Sequence, residues 1–117
     1  MRISSISAVG VGILSAALAF ESAQAGQSAQ ADGQCQLINT QQGRDLYSGD
    51  CTITETVKNN GQMTVWDIRM GSAESFLFAC QPNGDCMHGP DEVTFKDHGN
   101  SASFRWSNFR LEVQQET

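Results

Sequence analysis

The sequence predicts an all-β fold, a small antiparallel meander of six to seven strands that closes as a barrel or a two-layer sandwich and carries two disulfides. Three observations predict it. Short alternating runs of apolar and polar residues recur between clusters of Gly, Asn, Asp and Pro, at intervals of about eight to twelve residues. After Ala25, no stretch places apolar residues at the i, i+3, i+4, i+7 spacing of an amphipathic helix with capping residues at its ends. All four cysteines, Cys35, Cys51, Cys80 and Cys86, lie in the β-patterned part of the chain. An even count in so short a chain is the mark of a disulfide framework.

The first residues read as an export signal. Arg2 is followed by an uncharged stretch whose apolar part, Ala8 to Phe20, is thirteen residues long. A membrane-spanning helix needs roughly 20. The stretch closes on Ala23-Gln24-Ala25, the small-x-small pattern of a signal peptidase site, so residues 1–25 are expected to be removed. Ala17-Leu18-Ala19 offers an earlier site. A lipid anchor would need a cysteine at the cut, and the first one is Cys35. Secretion or a periplasmic location follows, without a membrane anchor. Residues 26–34 contain no large apolar side chain, and the expectation for them is a mobile leader ahead of a single domain over 35–117.

Within the domain the strands follow in order. Residues 35–39 form a first run, closed by a turn at Gln41-Gln42-Gly43-Arg44. Residues 46–57 come next, with Cys51, Ile53, Glu55 and Val57 alternating against Thr52, Thr54 and Thr56. β-branched residues of this kind favour strands. Asn59-Asn60-Gly61 signals a hairpin, because Asn and Gly accept the positive φ such a turn needs. Over 63–70, Trp66, Ile68 and Met70 should face inward. Residues 75–81 have Phe76, Phe78 and Cys80 on one side and Leu77 and Ala79 on the other, which reads as a central strand. A polar loop, 81–92, holds Pro82-Asn83-Gly84 and Gly89-Pro90. Residues 93–97, a turn at His98-Gly99-Asn100, and two clean alternations through Phe104 and Trp106 and through Phe109, Leu111 and Val113 complete the chain, with a fraying tail from Gln114.

Four cysteines allow three pairings. Pairing chain neighbours, Cys35 with Cys51 and Cys80 with Cys86, is preferred because each pair brackets a turn between strands. Loop-closure entropy gives the longer bracket about 3 kcal/mol and the shorter about 2.

The chain carries a formal charge of −6, and loss of residues 1–25 removes Arg2 and Glu21, leaving that charge unchanged. Nucleic acid and anionic membrane, which are bound by clustered Lys and Arg, are poor partners for it, and neither is expected. A basic protein is favoured.

Chemistry-bearing patterns are few. Cys86-Met87-His88 has the donor types of a soft-metal site, but a disulfide removes the thiolate, so no metal is expected and His88 reads as a solvated loop residue. Asn83, Asp85, Asp91 and Glu92 lack the alternate spacing of a calcium loop and read as turn polarity. Glu55 and Asp67 would have to meet to act as a hydrolase pair, and nothing in the spacing brings them together. No Gly-x-Ser-x-Gly or His-Glu-x-x-His motif occurs, and His98 sits in a turn. No catalytic residue and no cofactor is therefore expected. Trp66 and Trp106 read as core, and Tyr47 as the aromatic left exposed.

The resulting expectation is a non-enzymatic binding module that uses its disulfide-closed loop, with Met87, His88, Asp91 and Glu92 as the contact residues. In size, charge and cysteine use the chain resembles the small periplasmic lysozyme inhibitors, acidic β domains that bind basic enzymes. The Ser-Gly-x-x-Tyr motif of those proteins is absent, since Tyr47-Ser48-Gly49 has the pieces in another order, and no residue roles are carried over. A small carboxylate hydrolase and a structural envelope domain are the alternatives.

Overall fold

The computed structural model describes residues 28–72 and 75–116. The expected signal peptide, residues 1–25, lies outside them. Eight antiparallel strands run in chain order, β1 (Ser28–Asn39), β2 (Arg44–Lys58), β3 (Met63–Met70), β4 (Ser75–Cys80), β5 (Cys86–His88), β6 (Asp91–Asp97), β7 (Ser101–Trp106) and β8 (Phe109–Gln115). Each pairs with the next, and β8 pairs back onto β1, so the sheet closes into an up-and-down barrel rather than a sandwich. Closure removes the unpaired edges that a short open sheet would expose.

One strand is longer than expected and one is new. Gly33 onward pairs with both β2 and β8, and residues 28–32 pair with β2, so residues 28–34 of the expected mobile leader are the first half of β1. Its order comes from backbone pairing, and its small residues suit the site: Ala29 and Ala31 pack against the core, and Gly33 is buried. A Cβ at Gly33 would meet Gln114 O at 2.6 Å and Ile53 Cδ1 at 2.8 Å. The new strand, β5, is three residues long and lies inside the expected loop 81–92. The tail also differs. Gln114 pairs with both Gln34 and Ser101, and Gln115 is buried.

The hairpin residues behave as their chemistry requires. Asn59, Asn60 and Gly61 have φ of 52°, 56° and 89° and form a single 3₁₀ turn between β2 and β3. The two disulfides join Cys35 to Cys51 and Cys80 to Cys86, tying β1 to β2 and β4 to β5.

The interior is filled. Ile53, Ile68, Phe78, Phe104 and Leu111 are fully buried, and Val113 nearly so. Aromatic rings form a continuous column: Trp66 stacks on Phe95, Phe95 meets Phe104, Phe104 stacks on Phe78 at 4.2 Å, and Phe78 meets Trp106 edge-on at 5.0 Å. Such pairs add about 0.5–1.5 kcal/mol each beyond the area they bury. Trp66 and Trp106 are thus core residues. Tyr47 is half-buried rather than exposed: its hydroxyl donates to the Asp50 carbonyl and its ring lies against Gly71. Leu37 pairs with Tyr47 and Ile38 with Asp45, so a bulge leaves Leu46 between them, 45% exposed.

Candidate functional site

With the interior of the described barrel packed, the surfaces open to another molecule are its outer face and its ends. On the outside, directly opposed residues share a face, so the register defines the rows. One row runs Thr56, Val65, Ala79, Met87 and Glu92 across β2 to β6. The next runs Thr54, Asp67 and Leu77. Leu77 is 51% exposed and Met87 39%. Together with half-buried Val65 and Ala79 they form an apolar patch flanked by the carboxylates of Asp67 and Glu92. Leu77 does not mark a central strand. In a closed barrel every strand has two neighbours, and the outward residues of β4 face solvent.

The four residues expected to form one contact surface separate into two pairs. Met87 and Glu92 are opposed on the outer face. His88 and Asp91 are also opposed, but in the inward-facing register at one barrel end, where Asp91 is exposed. His88 is not a solvated loop residue. Its ring is stacked on Phe76 at 5.7 Å and lies 5.2 Å from Phe78 and 5.1 Å from Trp106. Its Nδ1 is 2.9 Å from the Leu77 carbonyl, which can only accept, so Nδ1 carries the proton.

The other sequence patterns resolve by geometry. Cys86 is in a disulfide, and Met87 and His88 point to opposite sides of the sheet, so the three do not converge on one ion. Asn83 and Asp85 bond to each other: Asn83 Oδ1 accepts the Asp85 N–H at 2.9 Å, and Asn83 Nδ2 donates to Asp85 Oδ2 at 3.1 Å. They close the tight β4–β5 turn, with Gln81 N–H donating to the Asp85 carbonyl at 2.8 Å. Glu55 is opposed to buried Trp66 and faces inward, whereas Asp67 is opposed to Thr54 and faces outward. The two are on opposite faces of the sheet and do not form an acid–base pair.

Sequence reasoning missed Val65, Ala79 and Leu77 as surface partners of Met87. The available signal was the apolar residue on both sides of β4, which only the register converts into a patch. No protein family, curated protein or solved structure matches the chain.

Proposed function

We propose that this is an exported, non-enzymatic binding module that recognises a basic protein through the outer face of β3, β4 and β5, in a secreted or periplasmic setting. The apolar patch of Val65, Leu77, Ala79 and Met87, flanked by Asp67 and Glu92, carries the reading. An apolar centre with a polar rim is the usual anatomy of a contact surface. The rim carboxylates and the formal charge of −6 favour a cationic partner. The Cys80–Cys86 bridge ties the two strands that present Leu77 and Met87, which lowers the ordering cost of binding. The two disulfides suit an oxidising compartment, and the Ala23-Gln24-Ala25 site supplies the route to it.

Lysozyme, a basic enzyme that acts on the cell envelope, is the first partner to test. Calorimetric titration should give a stoichiometric complex. Leu77→Ser and Met87→Ser should each weaken it about tenfold or more while leaving the melting temperature nearly unchanged. If these variants bind as well as the parent, the contact surface is elsewhere. Should neither lysozyme nor any other basic protein of the same compartment bind at low salt, the reading fails.

A further inference from the structure

All four cysteines are held in the two disulfides, so no thiol competes for an oxidant and the reactive sulfur of the molecule is in its methionines. Three of them lie among the described residues, in different surroundings. Met70 is in the inward-facing register of β3, opposed to Cys51, and is 3% exposed. Met63, at the start of β3, is half-buried. Met87, on the outer face of β5, is 39% exposed. The indole rings are shielded as well, with Trp66 and Trp106 each 4% exposed. A peroxide has to reach the sulfur lone pair, so access ranks the three thioethers with Met87 first.

The place of Met87 in the sheet gives that reaction a consequence. It is directly opposed to Ala79 on one side and Glu92 on the other, and Leu77 lies on the same face two residues from Ala79. Neither the Ala79 methyl nor the Glu92 carboxylate has a hydrogen to donate to a new oxygen. We propose that Met87 is an oxidation switch for the outer face of β3 to β5, turned off when a hydroperoxide converts its thioether to the sulfoxide. The sulfur lone pair takes the terminal peroxide oxygen, and the S–O bond forms as the O–O bond breaks. Sulfur is oxidised by two electrons, and the hydrogen of the transferred oxygen passes to the departing one, which leaves as water or an alcohol. The return step takes two electrons and two protons from a dithiol through a sulfoxide reductase, releasing water. A sulfoxide is polar and accepts hydrogen bonds, so covering it in a complex beside Ala79 and Glu92 leaves an unsatisfied oxygen where an apolar side chain packed before. The loss of partner binding rests on the reading of this face as the contact surface, whereas the order of oxidation does not.

The test treats the disulfide-bonded protein with dilute hydrogen peroxide and follows each methionine by peptide mass mapping. Met87 sulfoxide is expected before that of Met63, with Met70 protected until the protein unfolds. Protein oxidised at Met87 alone should be retained less on a phenyl matrix, which reads the apolar patch without any partner. It should bind lysozyme about tenfold or more weakly than the parent, at an unchanged melting temperature. Met87→Leu keeps an apolar side chain without sulfur, so peroxide should alter neither its retention nor its binding. The switch is overturned if Met63 or Met70 reacts as fast as Met87 in the folded protein, if the oxidised protein keeps the parent's retention, or if it binds lysozyme as tightly as the parent does. A parent that binds no basic protein before oxidation overturns the reading of the face as a contact surface, and the oxidation order and the retention then decide by themselves whether Met87 governs the patch.

Discussion

Gly33 illustrates how much one missing side chain decides. It lies where β1 passes between β2 and β8, and any Cβ there would collide with the Gln114 carbonyl and Ile53. The obstruction includes backbone, which cannot rotate away. Gly33→Ala should therefore destabilise the barrel by about 1–3 kcal/mol, the usual cost of overpacking, seen as a lower denaturation midpoint at unchanged slope. Neighbours on β4 make the opposite comparison. Phe78 is fully buried between Phe104 and Trp106, and Phe78→Ala should cost about 3–5 kcal/mol. One residue earlier, Leu77 points outward, and Leu77→Ala should change stability by less than about 0.5 kcal/mol. Equal losses at the two positions would contradict the inward and outward assignment of β4.

At the level of elements, what the sequence revealed was whatever is local. The alternation through Trp66, Ile68 and Met70 identified its inward face correctly because a strand's side chains alternate whatever its neighbours do. The disulfide pairing was legible for the same reason, since each bridge joins strands adjacent in the chain. What was missed depends on pairing between distant segments. Residues 28–34 have almost nothing to bury and looked like a leader, but β2 and β8 supply their order through backbone hydrogen bonds. β5 has three residues between Asn83-Gly84-Asp85 and Gly89-Pro90, too short to display a period. His88 was misread with it, because its aromatic neighbours come from β4 and β7. A chain beginning at Cys35 tests the first of these: a mobile leader could be removed at no cost, whereas loss of half of β1 uncovers Ile53 and should lower the melting temperature. Removing the bridges one at a time grades the two hairpins. Cys35–Cys51 closes a separation of 16 residues and Cys80–Cys86 one of 6, so their removal should cost about 3 and about 2 kcal/mol in the loop-entropy account.

On the scale of the whole molecule, closure and charge act together. Among the described residues, the closed eight-stranded barrel is filled with side chains and leaves no strand edge unpaired, so the partner proposed above would engage its outer faces or its ends. Under that proposal, affinity would come from side chains, and the formal charge of −6 would bias which partners reach them. For the basic partner proposed above, long-range attraction should raise the encounter rate, whereas short-range packing on Leu77 and Met87 should set how long the complex lasts. The two contributions respond differently to salt. The Debye length falls from about 30 Å at 0.01 M to about 8 Å at physiological ionic strength, so steering fades while buried apolar contact persists. Surface-plasmon kinetics across that range should show the association rate falling about tenfold or more, with the dissociation rate nearly constant. Met87→Ser should show the converse, faster dissociation with association little changed. If salt instead accelerates dissociation and leaves association alone, the carboxylates make direct contacts in the complex rather than steering the encounter, and Asp67 and Glu92 replace Leu77 and Met87 as its anchors.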